Sequence, residues 1–162
     1  MSQYPPMIER EFGFHYTVKS LEELTPKERE LAEAAKSVAQ DAYAPYSHFC
    51  VGAALRLEDG TIVTGSNQEN AAYPSGICAE RTALFFAGSR YPDTAVEDIA
   101  IIALQGGEVQ ESISPCGACR QVMAEVADRF HPFRVLLVGR DAVTILEDNR
   151  DLLPLTFDSS SL

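Results

Sequence analysis

The chain has 162 residues, 46% hydrophobic and 23% charged, the composition of one globular domain rather than a disordered segment. Its formal net charge of −11 repels phosphate backbones and anionic lipid, so neither nucleic acid nor a membrane surface is an expected partner. No stretch approaches the ~18–20 apolar residues of a membrane span.

The first residues, Met1-Ser2-Gln3-Tyr4-Pro5-Pro6, lack the basic and apolar regions of a signal peptide, so a cytoplasmic location is expected. In that compartment the four cysteines stay reduced, and they read as ligands or catalytic groups before disulfides. Residues 1–10 read as an arm. From Glu11 to Lys19, Phe12, Phe14, Tyr16 and Val18 alternate with polar residues or Gly, which predicts a strand. Thr25, Pro26 and Glu28 form a capping box with Pro at the first helical position. The helix they open carries Leu31, Ala35, Val38 and Ala42 on one face and ends at Ala44-Pro45.

Cys50–Leu57 and Thr61–Gly65 flank Asp59-Gly60 and predict a β-hairpin. Asn67–Gly76 reads as a loop. A second helix is expected from about Ile77 to Ala87, stopped by Gly88. Asp98–Leu104 is a buried-strand candidate, and Gln105–Ser114 is polar. A third helix follows Pro115, with Cys119, Val122, Met123, Val126 and Phe130 on one face. Arg134–Gly139 and Ala142–Leu146 are two further strands, and Asp151–Phe157 is a short apolar tail. Strands alternating with helices predict a layered α/β domain with a partly parallel sheet.

Cys78-Ala79-Glu80 opens one predicted helix and Pro115-Cys116-Gly117-Ala118-Cys119 opens another. Helix N-termini and a nearby cation both favour the thiolate form, and Cys-x-x-Cys sets two sulfurs on one side of a turn. Alone, a Cys-x-x-Cys also fits a redox pair or two buried thiols. Three cysteines leave a fourth coordination position for water, whereas a structural zinc site has four protein ligands. His48, His131 and Cys50 are the candidates for a fourth ligand. His131 falls at the far end of the third helix, Cys50 sits in an apolar strand, and His48 stays open.

These motifs resemble the cytidine deaminase family. The resemblance extends through Tyr46-Ser47-His48-Phe49-Cys50-Val51-Gly52-Ala53-Ala54-Leu55, Gly65–Asn70, Tyr73–Ala83, Ser114–Gln121 and Asp151–Phe157, in order and spacing. It covers residues 25–157, and length and Cys78 match the short, three-cysteine, homotetrameric class. Cys50 stands where the family often has Pro, and residues 1–24 form a longer leader than usual.

The resemblance implies a three-layer α/β/α fold with a mixed five-stranded sheet and a domain spanning 25–162; residues 1–24 read as an N-terminal extension, in which the apolar alternation makes an edge-strand candidate. The resemblance also implies hydrolysis of cytidine or 2′-deoxycytidine to the uridine nucleoside and ammonia, in pyrimidine salvage. One Zn2+ per chain is expected on Cys78, Cys116 and Cys119. Glu80 is then the general acid and base, serving the attacking water, ring N3 and the departing amine. Arg81 offsets the charge of three thiolates on a dication. The Ala79 N–H binds the pyrimidine O2. The Ser114 carbonyl, kept out of helical geometry by Pro115, accepts from the exocyclic amine. Phe49 stacks on the base, Asn67 and Glu69 hold the ribose 3′-hydroxyl, and Phe157 reaches a neighbouring subunit's site in a homotetramer.

Relatives acting on polynucleotides share the zinc motif but need a basic track for the backbone, which this charge balance opposes. A deaminase of a nucleoside antibiotic such as blasticidin S is closer. A non-enzymatic zinc-stabilised interaction module has no use for Glu80 beside the metal.

Overall fold

The computed structural model describes residues 7–162, so the first six residues of the arm lie outside it. In chain order the elements are β1 (Thr17–Ser20), α1 (Pro26–Ala39), β2 (Phe49–Leu57), β3 (Ile62–Ser66), α2 (Ala79–Arg90), β4 (Val96–Gln105), β5 (Glu108–Val109), α3 (Gly117–Arg129), β6 (Arg134–Val138) and β7 (Ala142–Leu146). They build one sheet in the order β1-β7-β6-β4-β2-β3, with β5 paired to β4. β4 and β6 run parallel, joined by the crossover through α3 that a parallel pair requires. The remaining pairs are antiparallel.

Helices cover both faces of the sheet. Ala54, Ala100, Ile102, Leu136 and Ile145 pack with α1, and Leu55, Ile99, Ile101, Val135 and Leu146 pack with α2 and α3. Successive residues of a strand point to opposite faces, and here both faces are dry. That is why the central strands read as unbroken apolar runs. Two glycines set how closely the helices approach. A Cβ on Gly52 would lie 2.0 Å from the Ala35 carbonyl oxygen of α1, and one on Gly65 would lie 2.6 Å from the Ala83 nitrogen of α2. The second contact seats the start of α2 against β3.

The capping box at α1 forms as expected: Glu28 N donates to Thr25 Oγ1 at 3.3 Å and Thr25 N to Glu28 Oε2 at 2.9 Å. Glu28 is also buried in an ion network, with Arg134 Nη2 at 2.6 Å and Lys19 Nζ at 3.1 Å; Arg134 Nη1 reaches Asp98 Oδ1 at 3.1 Å. No helix of the described residues is long and apolar enough to cross a membrane.

The sheet has seven strands where five were expected, and β1 and β5 are the additions. Gly106 and Gly107, at φ 61° and 83°, turn the chain so that two residues of the polar stretch pair back on β4. The strand expected over Glu11–Lys19 is confined to Thr17–Ser20. Thr17 pairs with Ile145, close to the end of β7, so earlier residues run past any hydrogen-bonding neighbour. Phe12, Phe14 and Tyr16 instead form an exposed ladder, ring centroids 6.3 and 6.2 Å apart. α1 ends at Ala39, short of the expected stop at Ala44-Pro45, because Gln40, Asp41 and Ala42 bond three residues back in tight turns. Gly88 does not stop α2, which runs on to Arg90.

Candidate active site

Cys78 is the N-cap of α2, Cys116 is the N-cap of α3, and Cys119 lies buried in the first turn of α3. Their sulfurs converge. Cys78 Sγ is 3.7 Å from Cys116 Sγ, Cys116 Sγ is 3.5 Å from Cys119 Sγ, and all three lie within 4.8 Å of one another. Tetrahedral bonds of ~2.3 Å to one zinc would hold sulfurs about 3.8 Å apart, so the trio fits that ion. Among the described residues, neither His48, His131 nor Cys50 joins this group. Cys50 is half-buried in β2 against the α1 side of the core. His48 adopts φ 55° in the turn that delivers Phe49 into β2, with its N–H bonded to the Ala44 carbonyl at 3.0 Å. Three thiols and a free fourth position form a zinc site suited to chemistry. The Cys78 thiol is lowered to about 5 by a hydrogen bond from Cys119, with Arg81 helping and burial opposing. The same bond raises Cys119.

Glu80 sits in the first turn of α2 with only 4% of its surface exposed. Burial raises its carboxyl above the usual range and the Cys78 charge adds to this, while its own backbone N–H, the Cys119 thiol and Arg81 pull the other way. A carboxyl so placed holds a proton more readily than a surface glutamate. Arg81 directs Nη2 to Cys78 Sγ at 4.0 Å, and its buried Nε has no protein partner among the described residues.

A cleft of about 470 Å³ opens at Cys78 and Arg81 and is walled by Asn67, Glu69, Tyr46 and Tyr73. That volume lies in the range of small-molecule sites. Two loops form it. Glu69 accepts from the Tyr46 N–H at 2.9 Å, the Ser47 N–H at 3.3 Å and the Ser47 hydroxyl, which together hold its carboxyl below the usual range. Asn67 braces the start of β2: Oδ1 accepts from Val51 N at 2.7 Å and Nδ2 donates to Phe49 O at 2.9 Å.

The cleft thus brings together Asn67, Glu69, Cys78 and Arg81. Phe49, half-buried against the core, Ser114 and the fully buried Ala79 are not on its wall. Phe157 is 63% exposed, with its carbonyl held by Gln121 Nε2 at 2.8 Å. Sequence reading missed the Tyr46–Tyr73 edge-to-face pair, at 6.4 Å between ring centroids. It also missed Arg120, although an Arg directly after Cys119 carries a signal: helical side chains lean toward the N-terminus and so toward the loop before it.

A family model described as the cytidine and deoxycytidylate deaminase zinc-binding region matches residues 25–133. A cytidine deaminase of Halalkalibacterium halodurans is 51% identical over 87 residues, which cover 54% of this chain and 62% of that protein. A probable cytidine deaminase of Dictyostelium discoideum is 39% identical over 130 residues, 80% of this chain and 83% of that one. A solved cytidine deaminase from Burkholderia pseudomallei is similar at TM-score 0.68 and 41% identity, covering 83% of this chain and 100% of that chain. One from Mycobacterium tuberculosis gives 0.61 and 33%, covering 80% and 95%. The matched region contains all three cysteines and both helix starts that hold them, and on that footing the chain belongs to the cytidine and deoxycytidylate deaminase family with this zinc-binding region.

Proposed function

We propose that this protein is a zinc-dependent hydrolase that converts cytidine and 2′-deoxycytidine, with water, to the uridine nucleosides and ammonia, in pyrimidine salvage. The observation that carries the reading is the three-thiol group at two helix N-termini, with the buried Glu80 carboxyl beside it and a nucleoside-sized cleft opening at Cys78. Family membership supports it.

Zinc held by Cys78, Cys116 and Cys119 supplies the Lewis acid that makes water a nucleophile at neutral pH. Glu80 takes a proton from the attacking water and passes it to ring N3, then takes the remaining proton from the new C4 hydroxyl and gives it to the amine, which departs as ammonia. Burial of Glu80 favours the protonated form that such a donor must reach. Arg81, beside Cys78, offsets the negative charge that three thiolates leave on a dication. The Ala79 N–H belongs to a helix's first turn, where amides lack intrahelical partners, and it binds the pyrimidine O2. The Ser114 carbonyl accepts from the exocyclic amine, and Phe49 stacks on the ring. Asn67 and Glu69 bind the ribose 3′-hydroxyl from the cleft wall, where their bonds to loop and strand backbone pre-set their positions.

Residues 25–162 form the deaminase domain and residues 1–24 an extension that adds β1. The protein works in the cytoplasm as a homotetramer with Phe157 of one chain closing a neighbour's site. The exposed Phe85 and Phe86 of α2, with Leu155 and Phe157 of the tail, support assembly, since a monomer leaves this apolar surface in water. Purified protein with a nucleoside panel tests the activity. Ammonia release and loss of the cytidine absorbance band are expected, and zinc-loaded protein inert toward both cytidine and deoxycytidine would overturn it.

A further inference from the structure

Arg120 lies in the first turn of α3, one residue past Cys119, and its guanidinium spans three separate oxygens. Nε donates to the Pro115 carbonyl at 2.8 Å, Nη1 to the Leu152 carbonyl at 2.8 Å, and Nη2 to Ser114 Oγ at 2.9 Å. The bond from Nη2 is the one hydrogen bond that Ser114 makes among the described residues. The far end of the clamp is rigid. Leu152 is buried, and the buried Asn149 near it accepts from Phe133 N at 3.1 Å and donates to the Met123 carbonyl at 3.0 Å. The next residue, Gln121, holds the Phe157 carbonyl. Consecutive residues of α3 therefore fasten the Ser114–Pro115 loop and the C-terminal tail to the helix that carries two of the thiols. A planar fork with donors in fixed directions suits three oxygens so placed; a lysine ammonium offers only a point charge.

We propose that Arg120 is a positioning residue for the exocyclic amine of the substrate: it locks the Ser114–Pro115 loop against Leu152, so that the Ser114 carbonyl is presented in one pose. The inference rests on the deaminase reading above. Without the clamp the loop keeps Pro115, which disfavours helical geometry at Ser114, but loses the bonds that fix where the carbonyl points. Ligands bearing a 4-amino group feel that loss, and ligands lacking one do not.

The test uses zinc-loaded full-length protein and the variant Arg120→Gln, with cytidine as substrate and pyrimidin-2-one ribonucleoside as an inhibitor that lacks the 4-amino group. The kcat/KM for cytidine is expected to fall roughly tenfold to a hundredfold, while the inhibition constant stays within about threefold and zinc stays at one per chain. A parallel loss on both ligands means a merely structural role and overturns the proposal, as does no loss on either. Should Arg120→Gln fail to fold or to hold zinc, Ser114→Ala decides, because it removes one acceptor and keeps the bonds to Pro115 and Leu152. It is expected to cost roughly fivefold on cytidine, the net worth of one hydrogen bond, with the inhibitor unaffected. An unchanged or parallel response there also overturns the proposal. A wild-type protein inert toward cytidine overturns the functional reading and this proposal together. A working wild type with indifferent variants overturns this proposal alone.

Discussion

Cys78 and Cys116 are 38 positions apart in the chain, yet their sulfurs lie 3.7 Å apart. Each caps a helix, and both helices pack on the same face of the sheet, so two N-termini meet at one point. Positive helix ends and the Arg81 guanidinium make that point hospitable to thiolates and, through them, to a divalent cation. Elemental analysis is expected to find one zinc per chain. Cys116→Ala should lose the metal and lower the melting temperature, because metal-binding free energy is part of folding free energy. A variant that kept full zinc and an unchanged melting temperature would refute the three-thiol site.

Glu80→Gln is expected to keep zinc and fold, since the amide matches the carboxyl in shape and removes a buried ionisable group. Turnover of cytidine should drop about 10²–10⁴-fold, the usual contribution of a general acid or base. Stopped-flow or steady-state absorbance measures it. A variant within tenfold of the parent would assign the proton transfers to another residue.

Free nucleosides are expected to be the substrates, and polynucleotides are not. The cleft carries the Glu69 carboxylate, held ionised by the Ser47 hydroxyl and the Tyr46 amide, within a chain of net charge −11. A 5′- or 3′-phosphate therefore meets like charge. Ammonia assays on cytidine, its monophosphates and single-stranded oligonucleotides check the order; efficient release from the oligonucleotides would contradict it.

Stability should fall in acid through Glu28. Burial alone would raise its carboxyl, but the Thr25 N–H, Arg134 and Lys19 outweigh it and hold it at about 2, against the usual 4.5. A depressed folded-state value contributes stability that is fully present above pH 4.5 and is lost as pH falls toward 2. The advantage of the parent over Glu28→Gln in chemical denaturation should shrink by about 3 kcal/mol across that window, and a constant difference would show that the network acts without this charge.

Truncation after Pro154 removes Leu155 and Phe157, both exposed in the single chain. Assembly and activity should weaken together while zinc remains, because burying a large apolar side chain against a partner contributes ~1.5–3 kcal/mol. Sedimentation velocity with parallel assays checks this. A truncated protein with unchanged oligomeric state and turnover would overturn the role proposed for Phe157.

The amino-acid sequence by itself determined what local chemistry determines. The Thr25–Glu28 capping box, the Asp59-Gly60 hairpin, the apolar strands and the three cysteines at two helix starts all depend on residues a few positions apart, and each appears where the pattern puts it. The tertiary structure decided whatever needed a distant partner. The alternation of Phe12, Phe14 and Tyr16 is strand-like, but β7 ends before it can pair with them. Gly88 looks like a stop, yet α2 runs on to Arg90. The question of a fourth ligand was open until packing left His48 in a turn and Cys50 in the core. Asn67 reads as a loop residue and proves to be a brace for β2, and Arg120, given no role by its sequence context, proves to be a clamp on Leu152. Capping, turn and periodicity signals act within one or two turns of chain, whereas a strand's neighbour, a ligand's absence or a three-way clamp exists only once segments tens of residues apart are packed together.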